Sequence, residues 1–185
     1  MKPFDPAPLR TARLVLRQLS HADLEALFAI FSNLEVMRYW SSPPLTQRAQ
    51  MEVKVRKFVD GYESGTSLSL GIEREADHAL VGNCTLFDFH EDSRRAQVGY
   101  CLGRPYWGQG YMHEALTALV DHAFGGLALN RLEADIDPRN LGSAKALERL
   151  GFVREGFLRE RWIVDGEVSD SALYGLLQRE WRTRT

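Results

Sequence analysis

Between Leu102 and Met112 the hydrophobic period of this chain changes from two residues to 3.6. Upstream, Ala96, Val98, Tyr100 and Leu102 alternate with other residues, the pattern of a strand. Downstream, Met112, Ala115, Leu116, Leu119, Val120, Ala123 and Phe124 recur at helical spacing. The joint holds Trp107-Gly108-Gln109-Gly110, whose two glycines let the backbone turn sharply and approach a ligand closely. The helix that follows offers unpaired first-turn amides and the positive end of its dipole. A strand, a glycine turn and a helix in that order suit a phosphate or another anion.

Two common phosphate loops do not fit. A dinucleotide fold wants a third glycine three residues after Gly110, where this chain has His113. A P-loop wants Gly-Lys-Ser/Thr, and no lysine follows these glycines. The 185 residues suffice for one domain over 1–185, with residues 1–8 expected to be a loosely ordered lead-in. A net charge of −2 gives no broad basic surface, which argues against nucleic acid as a partner. Cys84 and Cys101 are too few for a disulfide framework, and no clustered ligands suggest a metal, so both read as reduced core residues. The first ten residues carry three prolines rather than the apolar stretch of a signal peptide. No apolar run approaches the ~20 residues of a membrane span. A cytoplasmic protein without membrane contact, monomeric or homodimeric, is expected.

In chain order, Arg13–Arg17 reads as a first strand, and Ser20-His21-Ala22-Asp23 as a capping box ahead of a helix marked by Leu24, Leu27, Phe28 and Phe31. After an aromatic loop at Tyr39-Trp40, a second helix carries Met51, Val55, Phe58, Val59 and Tyr62 on one side and ends near Gly65. Strands over 67–73, 79–89 and 95–103 form an antiparallel meander. Leu132, Ala134 and Ile136 alternate with Glu133, Asp135 and Asp137 in a further strand. A short helix over 143–150 stops at Gly151, and two last strands flank a turn at Asp165-Gly166. The order predicts an α/β (α+β) domain with a mixed, mostly antiparallel sheet of about seven strands and about four helices.

With these elements in place, the chain resembles the GNAT superfamily of acyl-coenzyme-A-dependent N-acetyltransferases. Within it, the similarity is to the branch containing the ribosomal-protein alanine and serine N-terminal acetyltransferases. The resemblance lies in Val98-Gly99-Tyr100-Cys101-Leu102, Trp107-Gly108-Gln109-Gly110-Tyr111-Met112-His113-Glu114-Ala115-Leu116, Asp137-Pro138-Arg139-Asn140-Leu141-Gly142-Ser143 and Leu150-Gly151-Phe152. It continues in Glu155-Gly156-Phe157-Leu158-Arg159, Asp165-Gly166, Asp170, Tyr174 and Glu180-Trp181, and opens with Thr11–Arg17. The resemblance implies a sheet splayed in the middle and acetyl-CoA as cosubstrate, with no metal. The amides of Trp107 to His113 would cradle the pyrophosphate, and the backbone at Cys101 and Leu102 would pair with the pantetheine arm. Asn140 would bond a pantetheine amide, and Ser143 would lie against the same arm. Trp107 stands where many superfamily members have Arg or Gln, and Met112 where a small residue is usual.

Acetyl transfer to an amine needs a base for the ammonium and an acid for the leaving thiolate. Asp135 is the expected base, at the position where some N-terminal acetylating relatives carry Glu. Gln97 and Trp162 stand where related sequences have acidic residues, and Leu147 where many members have a tyrosine acid. Ser143 and Tyr174 are therefore the candidate acids. For the acceptor, Tyr39, Trp40, Phe87, Phe89 and Trp162 are candidate walls, Gln97 a candidate amide or water contact, and Glu160 and Asp170 candidate carboxylates facing the amine. The expected activity is direct acetylation of a primary amine, with a protein or peptide N-terminus as first choice. A small amine such as an antibiotic, polyamine or amino acid is the second choice, and a catalytically weak acyl-CoA-binding module the third.

Overall fold

The protein, described here from a computed structural model, is defined at Phe4 and residues 7–182. Its elements are β1 (Leu9–Arg10), β2 (Leu14–Gln18), α1 (Leu24–Phe31), α2 (Leu34–Met37), α3 (Arg48–Ser64), β3 (Leu68–Arg74), β4 (Leu80–His90) and β5 (Arg95–Leu102). They continue as α4 (Tyr111–Asp121), β6 (Arg131–Ile136), α5 (Leu141–Leu150), β7 (Val153–Val164), β8 (Glu167–Leu177) and α6 (Gln178–Arg182). The strands form one sheet in the order β1-β2-β3-β4-β5-β6-β8-β7. The elements beyond the expected seven strands and four helices are short ones: β1, α2 and α6 have two, four and five residues. So short a segment completes no hydrophobic period, which is why its pattern gives no signal. The expectation for residues 1–8 falls mostly outside the described residues; Phe4, which is described, packs against Tyr62 and Phe89.

Local chemistry sets the element ends. Ser20 and Asp23 complete the capping box ahead of α1, although its first turn is a 3-10 turn. Gly65 and Gly151 end α3 and α5 in the left-handed region, at φ 76° and 95°. The β7–β8 turn carries positive φ at both Asp165 and Gly166, as a tight hairpin requires. The helix after the glycine turn stops at Asp121, and residues 122–126 continue as a π-type turn rather than as α-helix to Phe124.

All neighbouring strands are antiparallel except β5 and β6, which run parallel because α4 crosses over between them. Their pairing is Arg95↔Arg131, Ala96↔Leu132 and Gln97↔Glu133, and there it stops. Both strands continue past that point, to Leu102 and Ile136, without pairing. The sheet is splayed between them. Successive residues of β5 point to opposite faces. Leu102 joins the larger core, with Ala115, Leu116 and Leu119 of α4; Cys101 joins the smaller one, with Leu27, Phe31, Met51 and Val55 of α1 and α3.

Between α1 and the sheet, Arg17 makes two hydrogen bonds to buried Asp23, at 2.8 and 3.0 Å, and also reaches Glu73. Burial pushes the Asp23 carboxyl up, but Arg17 and the Ser20 amide outweigh it and hold it below its ordinary value. Its contribution to stability is therefore present above the unfolded carboxylate pKa of about 3.9 and is lost as pH falls through the lower folded value. Arg17→Leu strands a buried carboxylate, and urea denaturation at pH 7 should show a loss of about 3 kcal/mol. The deficit against the parent should shrink as the pH is lowered, because protonation discharges Asp23.

Candidate active site

The turn from β5 to α4 is braced by its own side chains. A 3-10 turn over Arg104–Tyr106 begins with Pro105 near its N-terminus, where a missing amide costs nothing. Trp107 Nε1 donates to the Leu102 carbonyl at 2.7 Å, and Gln109 Nε2 to the Pro105 carbonyl at 2.9 Å. Gly108 and Gly110 take φ of 75° and 81°, a region side chains adopt at a cost. A Cβ on Gly108 would meet nothing within 4 Å, so it is the backbone conformation and the open approach that call for glycine there. Gly110 caps α4 with no side-chain hydrogen bond, which leaves the first-turn amides of Tyr111, Met112 and His113 free for an anion.

The side chains of the turn take separate directions. Tyr111 is buried in the core beneath the Arg13 guanidinium, Met112 packs partly against the same core, and His113 is exposed. Arg13 was not legible as a site residue, yet its Nη1 donates to the Gln109 carbonyl at 3.0 Å and sets a cation beside the turn. Glu114 holds it there through Nε at 2.7 Å, and accepts from Thr11 at 2.6 Å. Burial pushes the Glu114 carboxyl up, but these donors outweigh it and keep it below its ordinary range. The carboxylate at this helix start is thus spent on Arg13.

The splay opens into a cavity of about 840 Å³. Val98, Gly99 and Tyr100 of β5 line one side, and Ala134, Asp135 and Ile136 of β6 the other. Leu102 pairs with Gly82 on β4, and its carbonyl is already taken by Trp107, so the backbone edge left for a ligand is that of residues 98–101. Cys101 contributes backbone alone: its thiol is buried in the smaller core and pushed up to about 12 by desolvation. Asn140 caps α5, its Oδ1 accepting from the Ser143 amide at 3.0 Å, so its Nδ2 is the group left to meet a ligand.

Of the three acidic residues on and just after β6, two are engaged. Glu133 pairs with Arg95 at 2.7 Å and Arg131 at 2.8 Å. Asp137 is buried against Arg139 at 2.6 Å; desolvation raises its carboxyl, and the guanidinium more than reverses that. The Asp135 carboxylate lines the cavity and has no hydrogen-bond or ion-pair partner among the described residues.

Ser143 and Tyr100 also line the cavity, with Ser143 Oγ 2.6 Å from the Tyr100 hydroxyl. Burial pushes the Tyr100 phenol up to about 12, so it stays protonated and stays a donor. Tyr100 belongs to the alternating face of β5, but nothing in the sequence pairs it with a serine 43 residues away. Tyr174 is buried in the cavity wall with its hydroxyl 3.4 Å from Glu148; burial first, and Glu148 second, raise it.

The aromatic candidates gather at the cavity. Tyr39, Trp40, Phe87 and Trp162 line it, and Phe89 instead packs on Phe4. Gln97 lines it and donates to Asp88 at 2.8 Å. Glu160 and Asp170 do not line it: the Asp170 carboxylate accepts the Glu160 amide at 2.7 Å and is committed to the hairpin. Among the described residues no group of His, Cys, Asp and Glu could hold a metal ion, and no helix is long and apolar enough to cross a membrane.

A parallel strand pair that parts, joined by a turn and a helix with free first-turn amides, defines a class of protein suited to an extended ligand that carries a phosphate or another anion. The chain belongs to the GNAT acetyltransferase family, whose domain, described as acetyltransferase (GNAT), matches residues 13–153. It is 34% identical over 173 residues to an uncharacterized N-acetyltransferase, p20, of Bacillus licheniformis, covering 94% of this chain and 97% of that one. It is 25% identical over 180 residues to the ribosomal protein uS5-alanine N-acetyltransferase of Escherichia coli, covering 94% and 92%. In fold it is similar to the Vibrio cholerae spermidine N-acetyltransferase solved with CoA and spermine, at a TM-score of 0.83 and 22% identity, over 93% and 99% of the two chains. The protein is an N-acetyltransferase, and its acyl donor is acetyl-CoA.

The glycine geometry gives a direct check. Gly110→Val places a branched residue at φ 81°, straining the turn by about 1–3 kcal/mol. The variant should lose most of the thermal stabilisation that acetyl-CoA gives the parent, while unliganded Tm falls by only a few degrees.

Proposed function

We propose that this enzyme transfers the acetyl group directly from acetyl-CoA to the amine at the N-terminus of a protein or peptide. The observation that carries the reading is Asp135, without a partner among the described residues, in a cavity that Ser143 and Tyr100 also line. Acetyl-CoA supplies a thioester carbonyl and a thiol leaving group; the chain supplies the means to move two protons. Asp135 takes a proton from the incoming ammonium, directly or through one water, and so yields the neutral amine. With Tyr100 as donor in the 2.6 Å contact to Ser143 Oγ, the serine proton can pass to the departing sulfur as the Tyr100 proton replaces it, and solvent then reprotonates the phenolate. No covalent intermediate on the enzyme is required, and both thiols are buried and held protonated.

The peptide reading is supported by the resemblance over nearly the full chain to an enzyme that acetylates a ribosomal-protein alanine. A polyamine is the second reading, favoured by the fold shared with the spermidine enzyme and by the aromatic walls.

Asp135→Asn should lower kcat about a hundredfold while the acetyl-CoA thermal shift is retained; parent-like turnover would remove Asp135 from the site. Ser143→Ala and Tyr100→Phe should each slow turnover, and because the two act as one unit the double variant should be little slower than Ser143→Ala alone. Tyr100 also predicts an alkaline limit. Its folded value of about 12 lies above the unfolded value of about 10, so its stabilisation is complete below pH 10 and is lost as pH rises through 12. Tyr100→Phe should flatten that alkaline decline in Tm.

A further inference from the structure

The β7–β8 hairpin shifts register twice, between Arg154 and Gly156 and, nearer its turn, between Leu158 and Trp162. Leu158 pairs with Ser171 and Trp162 with Ser169, so Arg159, Glu160 and Arg161 together face the single residue Asp170. Glu160 takes φ 52° at this bulge, and its amide is held by the Asp170 carboxylate. Bulges beside active sites re-aim side chains. Here the re-aimed side chain is Arg161, which lines the cavity with its guanidinium 5.5 Å from the Trp162 ring centre. Trp162 is itself fixed, its Nε1 donating to Ser171 Oγ at 3.1 Å.

The other charges lining the cavity are committed. Glu133 is held by Arg95 and Arg131, Arg131 also by Glu155, Asp137 by Arg139, and Asp88 by Gln97 and His90. Among the described residues, two lining charges have neither a hydrogen-bond nor an ion-pair partner: Asp135 on β6 and Arg161 on β7. One is negative and one is positive.

We propose that Arg161 reads a carboxylate on the acceptor, so that the preferred substrate carries an anionic group near the amine it presents to Asp135. The inference rests on the reading of Asp135 as the amine end of the site. A guanidinium fork matches a carboxylate through two parallel charge-assisted hydrogen bonds. Stacking on Trp162 restricts the arginine beforehand and so reduces the entropy lost on binding. A polyamine would satisfy Asp135 and then set its remaining cations against Arg161, a repulsion that selects against it. The carboxylate has two possible sources: an acidic side chain next to a peptide N-terminus, or the α-carboxylate of a free amino acid.

Thiol release from acetyl-CoA by the full-length enzyme separates these outcomes with four acceptors: a C-terminally amidated peptide beginning Ala-Ala, its Ala-Glu counterpart, free alanine and spermidine. A carboxylate acceptor should exceed the Ala-Ala peptide in kcat/KM by about ten- to hundredfold. The Ala-Glu peptide and free alanine tell which source is used. Arg161→Gln should collapse that ratio toward one with the acetyl-CoA thermal shift retained, and Arg161→Lys should restore part of it. Asp170→Ala, which frees the bulge, should also reduce the ratio. The inference is overturned if the parent prefers the Ala-Ala peptide or spermidine, or if Arg161→Gln leaves the ratio unchanged. Acetyl-CoA binding with no amine acetylated would instead overturn the proposed function, and this inference with it.

Discussion

The clasp at the base of the splay is the interaction on which the site depends. Arg95 of β5 reaches Glu133 of β6, and Glu133 is also held by Arg131. This cluster spans the short parallel pairing of β5 and β6, from Arg95↔Arg131 to Gln97↔Glu133. One step further the strands have separated, and Asp135, two residues beyond Glu133 on the same face, has lost both a strand neighbour and a cation. A single strand thereby carries one carboxylate spent on closing the sheet and another left open to chemistry.

Parting two strands exposes backbone groups and a cavity, and elements on either side of the gap compensate. Toward β4, residues 82–87 pair with 97–102 of β5, so along that stretch one edge of β5 is closed. At the mouth, the turn satisfies its own carbonyls with Trp107 and Gln109 side chains while leaving helix amides unspent. Arg13 and Glu114 tie the end of the sheet to α4 and place a cation beside those amides without neutralising them. At the far end, α5 brings Asn140 and Ser143 to the gap, and β7 closes it with Trp162 and Arg161.

The pattern of residues made much of this legible. The change of period across Gly108 and Gly110, the caps at Ser20, Gly65 and Gly151, and the Asp165-Gly166 turn each rest on interactions within a few residues, so local chemistry decided them. The short elements β1, α2 and α6 complete no period and went unseen. Asp135 stood out by its position, but Glu133, Asp135 and Asp137 looked alike, since which carboxylate is free depends on arginines placed by other strands. Glu160 and Asp170 looked like acceptor contacts for the same reason; the bulge that turns Asp170 inward to the Glu160 amide is a feature of strand register.

The amino-acid sequence by itself determined the family, the strand–turn–helix around Gly108 and Gly110 and the aromatic residues that line the cavity. These follow from hydrophobic period, from glycine conformations and from motifs read residue by residue. The tertiary structure decided the chemistry of individual side chains: Tyr100 joined to Ser143, Arg13 to Gln109, and Asp135 and Arg161 left unpaired in one cavity. Burial and pairing set the protonation and reach of a side chain, and both arise from contacts between residues far apart in the chain.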